Sequence, residues 1–410
     1  MTKVCFIHDK WRIDGVTSVV LNNIAGLNEI LPNSDFCLIG ETHSKTLPDN
    51  IEKRKIEWNG YKARYLRELT KDFDVVVIEN PTIGQYPELT QAYMEFSEQT
   101  DKQVLYRIHD FADDRSENCE KLAAMGFSLD NIYPRTPNVG FIALTSFDGN
   151  RLREKGLENV TVLPNSIILN PDYDPKVRET ELREFFERQG IAQTDERMIT
   201  YPIRAIPRKN IGEALVKIKI LNETRDIGSP QYRLVVTRHN PNHQKYEDEL
   251  KRLAEVYDVP FSIGVAGRHI GFNPNSGFVM SDLVSASEAV ITTATREGFG
   301  MAYLNWLDNT PVIGRDLQTI TSDFRKNGLL LDFLHTDREI PSSEDLSEAL
   351  AYTQHYLGDA KVRYELSDRL DMNSRILQAK EAILQNKSAV ERNYNHVTIA
   401  RKLLECVESY

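Results

Sequence analysis

The sequence predicts an α/β protein of two Rossmann-like domains. Its 410 residues exceed one typical domain, and two domains of about 200 residues each are long enough to bury their own cores. Apolar runs that end in polar loops recur along the chain, as they do in buried parallel strands. The first run, KVCFIH, is followed by a polar loop and the helical pattern VTSVVLNNIAGLNEI, which together make the first strand, loop and helix of a Rossmann-like unit.

Two further apolar runs indicate more strands in the N-terminal half. Residues 74–81, DVVVIENP, and residues 103–111, QVLYRIHDF, each contain an apolar run that ends in a polar loop. Functional side chains of parallel sheets gather at the carboxyl ends of the strands, and His109 and Asp110 lie at such an end. A lone histidine is usually a hydrogen-bonded structural residue, and a functional role for His109 is the alternative.

A pair of cations follows a predicted strand in the C-terminal half. In residues 199–215, ITYPIRAIPRKNIGEAL, a short apolar run leads into Arg204 and Lys209, and a helical pattern begins with Asn210 as its N-cap. The planar fork of arginine and the compact charge of lysine together suit the two phosphates of a diphosphate. Two such cations considered alone are more often simply solvated.

An acidic, glycine-containing segment precedes a second helical pattern. In residues 294–306, ATREGFGMAYLNW, Glu297 is followed by glycines at 298 and 300 and then by an apolar run. Glycines let the backbone approach a ligand, and the first amides of a helix favour an anion. Glu297 itself cannot bind phosphate, so we expect it to bind sugar hydroxyls. The alternative is an ordinary strand, turn and capped helix.

Together these segments resemble the C-terminal half of the retaining glycosyltransferases of the GT-B fold, the large family that includes sucrose synthases, bacterial glycogen synthases and phosphatidylinositol mannosyltransferases. Members of the family carry an Arg and a Lys separated by four residues, and Arg204 and Lys209 match this pair. It also carries two Glu residues separated by seven residues, and Glu297 matches the first of them. A strand follows this motif in the family, and residues 310–313, TPVI, match that strand. Asn305 replaces the second Glu, which implies a weaker or differently shared contact with the ribose.

The resemblance implies an α/β fold in which two Rossmann-like domains face each other across a cleft, with C-terminal helices crossing back to the first domain. Residues 1–170 would form the acceptor domain, residues 171–385 the nucleotide-sugar domain, and residues 386–410 the returning helix. The segment VTVLPNSI, residues 160–167, looks like the family's segment that closes the first domain.

The resemblance also implies a nucleotide-sugar donor, UDP- or GDP-linked, as in UDP-glucose or GDP-mannose, and transfer with retention. Arg204, Lys209 and the amides near Gly300 would stabilise the charge on the departing diphosphate, so that no metal or other cofactor is required for departure. Glu297 and His109 would contact the sugar and complete the predicted catalytic set. The predicted donor-binding residues are Gly15, Arg238, Arg268, Ile270, Gly298, Phe299, Gly300, Met301, Ala302 and Asn305.

The acceptor is less determined. In the fold that the resemblance implies, Arg107, Asp110 and Arg115 would line the N-terminal side of the cleft, and the two arginines would suit a small anionic acceptor such as a glycerate or a sugar derivative. The alternative is that these arginines pair with neighbouring aspartates. Both possibilities are open at the level of sequence.

Composition narrows the class of partner. The formal net charge of −11 argues against a broad nucleic-acid surface and does not favour anionic membranes. A basic amphipathic helix over residues 60–71 could touch a membrane, but packing on the sheet is the preferred interpretation. We find no signal peptide, no membrane-spanning run and no metal-ligand spacing among the four cysteines, and we expect a cytoplasmic protein.

Two other functions compete with glycosyl transfer. A nucleotide-sugar epimerase has the same architecture but should place its acidic catalytic residues elsewhere and lacks the Arg and Lys pair. A non-catalytic sugar-binding protein is the other class, and Asn305 leaves open a catalytically weakened relative that still binds sugar nucleotides.

Overall fold

The chain divides into two compact units. The computed structural model describes residues 3–12, 14–32, 34–45, 47–57, 63–168, 178–267, 269–271, 277–335, 346–347 and 371–408. The first unit comprises Met1–Leu169 together with Arg392–Tyr410, and the second comprises Asn170–Glu391. Each unit is built around its own parallel sheet.

A seven-stranded parallel sheet forms the centre of the first unit. The strands of this unit are β1 (Val4–Ile7), β2 (Lys10–Trp11), β3 (Phe36–Gly40), β4 (Thr42–His43), β5 (Glu52–Lys55), β6 (Val75–Glu79), β7 (Gln103–Ile108), β8 (Val139–Ala143) and β9 (Val160–Val162). The sheet has the order β5-β3-β1-β6-β7-β8-β9, and β2 and β4 pair separately. Strands β1, β6 and β8 are buried along their whole length, which suits their sequences rich in Val, Ile and Phe.

Helices cover this sheet. They are α1 (Gly15–Ile30), α2 (Ala63–Thr70), α3 (Pro87–Gln99), α4 (Ser116–Ala124), α5 (Ser146–Glu154) and the final helix, His396–Glu408. In α2, Leu66 is buried in the core on one side of the sheet, while Arg64 and Arg67 are exposed. The first residues of the basic segment, 60–62, lie outside the described residues.

The final helix packs on α1. Asp14 caps α1, since its Oδ1 accepts a hydrogen bond from the Thr17 amide at 3.0 Å. Apolar side chains of both helices, including Ile24 and Leu403, belong to one buried cluster on this side of the sheet. Gly26 has no side chain, which allows the backbone of His396 to approach the α1 backbone directly.

The second unit has a five-stranded parallel sheet. Its strands are β10 (Arg197–Arg204), β11 (Tyr232–Arg238), β12 (Phe261–Ile263), β13 (Ile270–Gly271), β14 (Phe278–Val279), β15 (Ala289–Thr292) and β16 (Val312–Gly314). The main sheet has the order β12-β11-β10-β15-β16, and β13 and β14 form a separate pair. Its helices are α6 (Glu179–Arg188), α7 (Ile211–Thr224), α8 (Gln244–Val256), α9 (Met280–Ser285), α10 (Gln318–Lys326), Met372–Glu381 and Ile383–Tyr394, the last of which extends past the unit boundary.

The apolar run after Gly300 is a 3₁₀ helix, Met301–Asp308, and not the α-helix that its sequence suggests. Left-handed residues bound it at both ends, Gly300 with φ 81° and Asn309 with φ 55°. Side chains three residues apart eclipse in a 3₁₀ helix, so Tyr303 and Trp306 both point into the core, where they are fully buried. Packing of these two rings in the core therefore favours the tighter 3₁₀ helix over an α-helix.

None of the helices in the described ranges has both the length and the apolar character that a bilayer span requires.

Substitution of Gly26 by Val should loosen the contact between α1 and the final helix. A Cβ at Gly26 would lie 2.8 Å from the Ala400 Cβ and closer still to the His396 backbone. We expect a loss of about 1 to 3 kcal/mol from overpacking. Hydrogen-exchange mass spectrometry should show faster exchange in both helices and an unchanged exchange rate in the second unit. The control is Gly15→Ala in the same helix, where a Cβ meets nothing within 4 Å; equal exchange in the two variants would contradict this view of the packing.

Candidate functional site

Lys209 and Glu297 form an ion pair at one edge of the second sheet. Lys209 ends the 3₁₀ helix Pro207–Lys209, which follows β10, and Glu297 lies in the loop after β15. The Lys209 Nζ donates a hydrogen bond to Glu297 Oε1, and each side chain is 10% exposed. Because β10 and β15 are neighbouring parallel strands, the loops at their carboxyl ends meet. The structure thus brings together two residues that come from separate sequence motifs.

Arg208 joins this pair, and sequence reasoning did not select it. Its Nη1 lies 3.5 Å from the second carboxylate oxygen of Glu297 and donates to the Arg296 carbonyl at 2.8 Å. The Arg208 carbonyl in turn accepts a hydrogen bond from the Thr295 amide at 2.9 Å. The one available signal is its place beside Lys209 in a short turn that begins with Pro207. Glu297 therefore faces two cations.

Arg204 and Arg238 lie side by side at the same edge of the sheet. Arg204 is the last residue of β10, Arg238 is the last of β11, and the two are partners in the strand register. Arg204 is exposed, and Arg238 is half-buried. Two guanidinium groups at the carboxyl ends of adjacent strands give this part of the second unit a positive potential, which favours an anionic ligand.

The loop after Glu297 depends on glycine at position 300. Gly300 has φ 81°, and a Cβ there would lie 2.7 Å from the Tyr303 ring. Gly298 is half-buried, whereas the side chains of Phe299 and Ala302 are buried and Met301 is 40% exposed. Phe299 and Ala302 are 6% and 7% exposed, so they present little side-chain surface to solvent. The first amides of the 3₁₀ helix have no acceptor within the helix, so they are suited to an anion.

The Asn305 side-chain amide is bonded to its own helix through its nitrogen. Its Nδ2 donates to the Ala302 carbonyl at 2.8 Å, which fixes the orientation of the amide. The side chain is half-buried, and Oδ1 is its remaining polar atom. One neutral acceptor is thus present at the position where the sequence pattern has a second Glu.

Of the two residues near β13 that were predicted to contact the donor, the structure describes Ile270. The Ile270 side chain is buried in the core of the second unit. The Ile270 amide donates to the Val265 carbonyl at 3.1 Å, and the Ile270 carbonyl accepts from the Gly267 amide at 2.7 Å. The side chain and both backbone groups are therefore engaged within the protein, and a donor contact by Ile270 stays a prediction. Arg268 lies outside the described residues.

In the first unit, His109 pairs with a buried carboxylate that sequence reasoning missed. The His109 Nε2 lies 2.5 Å from Glu79 Oε2, and Glu79 is the last residue of β6. The amides of His109 and Asp110 both donate to Asn80 Oδ1, at 2.7 and 3.0 Å. Burial alone would raise the pKa of Glu79, but its hydrogen bond with His109 and the charges of His109 and Arg107 lower this pKa below its usual value. The sequence feature that could have indicated Glu79 is its position at the end of the apolar run VVVIE.

The residues predicted to meet an acceptor are mostly engaged with other groups. Arg107 is fully buried, burial lowers its pKa, and its Nη2 donates to Asn165 Oδ1 at 3.1 Å. Its guanidinium is thus inside the protein, and contact between Arg107 and an acceptor stays a prediction. Arg115 Nη2 lies 3.0 Å from Asp110 Oδ2, so two of the predicted acceptor residues pair with one another.

Gly15 is exposed at the first position of α1, where a side chain would meet nothing within 4 Å. The structure therefore shows open space at this residue but no feature that requires glycine. Among the residues that the structure describes, no group of three or more His, Cys, Asp or Glu side chains is arranged to hold a metal ion.

Replacement of Glu79 by Gln should destabilise the first unit in a pH-dependent way. It leaves His109 and Arg107 without their buried counter-charge, which typically costs about 3 to 5 kcal/mol. Because the folded-state pKa of Glu79 is below its ordinary value of 4.5, its contribution is complete above that pH and is lost as the pH falls through the lower folded-state pKa. Urea unfolding should show a large difference from wild type at about pH 7 that shrinks below about pH 4.

The control for this prediction is Glu29→Gln. Glu29 pairs with His396 at 2.8 Å in the same unit, but its side chain is largely exposed. We expect a change of at most about 1 kcal/mol. Equal losses in the two variants, or a Glu79→Gln loss that does not vary with pH, would contradict the assigned role of Glu79.

Comparison with known proteins supports the fold. No protein-family model matches the chain. A curated relative, the mannosylglucosyl-3-phosphoglycerate synthase of Petrotoga mobilis, is 24% identical over 302 residues, which cover 72% of this chain and 55% of that protein. The chain thus spans about half the length of this relative.

Two solved structures resemble the chain over nearly its whole length. Anabaena HepE, in complex with UDP and glucose, has a TM-score of 0.64 at 14% identity and covers 100% of both chains. WaaG, a glycosyltransferase involved in lipopolysaccharide biosynthesis, has a TM-score of 0.61 at 12% identity, with 99% of this chain and 100% of WaaG covered. These likenesses confirm the fold predicted from the sequence motifs: the chain has the GT-B fold of glycosyltransferases.

Proposed function

We propose that this protein is a glycosyltransferase that moves a hexose from a UDP- or GDP-linked sugar to a hydroxyl group of a small acceptor. The observation that carries the proposal is the Lys209–Glu297 pair at the carboxyl ends of β10 and β15, with Arg208 beside it. It combines cations for a diphosphate with a carboxylate for sugar hydroxyls. The similarity to HepE, whose structure holds UDP and glucose, is consistent with such a donor.

The cations of the second unit are proposed to bind the diphosphate of the donor. Lys209 carries three N–H donors, so it can contact a phosphate oxygen while it still holds Glu297. Arg204 and Arg238 lie at the same strand edge and would add charge-assisted hydrogen bonds. The amides of Met301 and Ala302 would complete the phosphate contacts. These groups would stabilise charge that grows on the leaving diphosphate, and in this proposal they replace a metal ion.

Glu297 is proposed to orient the hexose. Its two carboxylate oxygens are directed by Lys209 and Arg208, so the carboxylate is held in place before a ligand enters. Ionised carboxylates accept strong hydrogen bonds from hydroxyl groups. Asn305 would accept one hydrogen bond from the ribose through its Oδ1.

We further propose that transfer retains the anomeric configuration. The bond between the anomeric carbon and the diphosphate oxygen breaks, and the acceptor oxygen bonds to the same face of that carbon. The proton of the acceptor hydroxyl passes to the departing diphosphate. Support comes from the motif resemblance and from the cations around Glu297, which favour the orienting role of this carboxylate over a role as nucleophile.

For the acceptor we propose a small polyhydroxylated molecule such as a glycerate or a sugar derivative. The matched relative is named as a synthase of a mannosylglucosyl-phosphoglycerate, which supports this class. An anionic acceptor would have to draw Arg115 away from Asp110, and the 41% exposure of the Arg115 side chain leaves it accessible for such an exchange. We place the reaction in the cytoplasm, where nucleotide sugars are made.

Replacement of Lys209 by Ala should abolish most activity. Loss of one preorganised charge contact to a leaving group typically lowers turnover about 10²-fold to 10³-fold. Thermal unfolding with UDP, GDP, ADP and their sugar conjugates should show stabilisation of wild type by one nucleotide series. A ligand at about 100 times its dissociation constant stabilises by about 2.7 kcal/mol, and this shift should vanish in the variant.

The matched control is Lys219→Ala on α7, where Lys219 pairs only with the neighbouring surface residue Glu223 in the described contacts. It should behave as wild type. Near wild-type transfer by Lys209→Ala would overturn the proposed function. A shift with a nucleotide but no transfer to any acceptor would favour the weakened relative that Asn305 suggests.

Substitution of Glu297 by Gln should separate diphosphate binding from sugar transfer. The neutral amide no longer repels phosphate or competes for Lys209, so we expect a nucleoside diphosphate to bind at least as tightly as in wild type. Transfer should fall about 10- to 100-fold, because hydrogen bonds to a charged acceptor are lost. Isothermal titration and transfer assays measure the two effects.

Glu288→Gln is the control for this substitution, since Glu288 precedes β15 and pairs with Lys380 at the surface. Weaker diphosphate binding in Glu297→Gln, or unchanged transfer, would contradict the role given to Glu297.

A further inference from the structure

Three charged side chains are buried beneath the proposed diphosphate site. Glu213 and Lys217 lie on α7, and Arg315 directly follows β16. Their side chains are 0%, 0% and 5% exposed. Arg315 Nη2 pairs with Glu213 Oε2, and the Lys217 Nζ lies 3.4 Å from Glu213 Oε1. None of the three is among the site residues predicted from the sequence.

Stability alone does not account for such a cluster. Transfer of charges from water into a protein interior costs free energy, and the attraction between them rarely exceeds that cost. Replacement of buried ion pairs by apolar side chains of similar volume is often neutral or stabilising. The role of these residues therefore depends on the contacts that they make with neighbouring segments.

Glu213 holds the turn that carries Lys209. Asn210, the residue after Lys209, is left-handed with φ 50° and makes no side-chain bond to the α7 amides, although it occupies the predicted N-cap position. Its Nδ2 instead donates to Glu213 Oε2 at 2.8 Å. Thr293 secures the same turn, since its Oγ1 donates to the Asn210 carbonyl at 2.9 Å.

Arg315 connects this turn with the loop that carries Glu297 and with the 3₁₀ helix after Gly300. Its Nε donates to the Thr293 carbonyl at 3.4 Å, at the end of β15 and shortly before Glu297. Its own carbonyl accepts a hydrogen bond from the Tyr303 hydroxyl at 2.7 Å, and Tyr303 lies in the 3₁₀ helix that begins after Gly300. Through Glu213 it reaches the Lys209 turn.

We propose that Glu213 and Arg315 are positioning residues that hold the Lys209 turn, the Glu297 loop and the 3₁₀ helix in the geometry that binds a diphosphate. This inference rests on the proposed function. The ion pair lies between the three segments, and its hydrogen bonds have fixed directions, which apolar packing cannot reproduce. A displacement of about 1 Å in a binding group can reduce catalysis by about 10²-fold, so precise placement of Lys209 has a large effect.

The test is a triple variant, Glu213→Leu, Lys217→Met, Arg315→Met, which removes all three charges and roughly conserves volume. A single substitution would leave an uncompensated buried charge and would confuse misfolding with loss of position. We expect the triple variant to unfold at or above the wild-type temperature. Its dissociation constant for the nucleoside diphosphate that wild type binds, UDP, GDP or ADP, should rise about tenfold or more.

A second variant restores one contact. Glu213→Gln in place of Glu213→Leu, with the other two substitutions kept, returns an acceptor for Asn210 Nδ2, so part of the lost affinity should return. The matched control is Lys219→Met with Glu223→Leu, which removes a surface ion pair from the same helix and should leave binding unchanged.

Hydrogen exchange supplies a readout that does not depend on nucleotide. Amides in residues 207–213 and 293–305 should exchange faster in the triple variant, with no change in the first unit. A folded triple variant with wild-type exchange in these segments would overturn the positioning role, whether or not any nucleotide binds. If wild type binds no nucleoside diphosphate while exchange changes as expected, the proposed function fails and the positioning of these segments stands.

Discussion

The parallel register of β10 and β15 is the constraint on which the candidate site depends. Ile199 pairs with Ala289 and Thr200 with Val290, so both strands end at the same edge of the sheet. This register brings Lys209 into contact with Glu297, although 88 positions separate them along the chain. A shift of one residue would reverse the faces of one strand and move its loop away from the other.

Both units place a buried carboxylate beneath a candidate functional side chain. In the first unit Glu79 contacts His109 directly, and in the second Glu213 holds Lys209 through Asn210. Each carboxylate has a buried arginine nearby, Arg107 or Arg315. A carboxyl group in the interior has few alternative hydrogen-bond partners, so it fixes the direction of the residues that it binds more strictly than apolar packing does.

The charges of the second unit are consistent with a diphosphate ligand in an otherwise acidic protein. The chain has a formal net charge of −11, yet Arg204, Arg208, Lys209 and Arg238 gather at the ends of two adjacent strands. Glu297 is the carboxylate that faces Arg208 and Lys209 and keeps part of this charge neutralised. Such an arrangement concentrates positive potential where the proposed leaving group would be.

Local patterns and the motif resemblance were sufficient to predict the α/β class, the GT-B fold and the groupings of residues that lie within one loop. Arg204 and Lys209 are five positions apart, and Glu297 directly precedes the Gly298–Gly300 segment, so short-range spacing was enough to select them. Which of the selected residues face outward depends on long-range packing, which these local patterns do not contain. Ile270 and Arg107 are buried, and the run after Gly300 coils as a 3₁₀ helix, because packing against distant side chains overrides local pattern. The partners Glu79 and Arg315 were equally inaccessible to sequence reasoning, since Glu79 lies 30 positions from His109 and Arg315 lies 102 from Glu213, and contacts at such separations are set by the sheet and not by spacing.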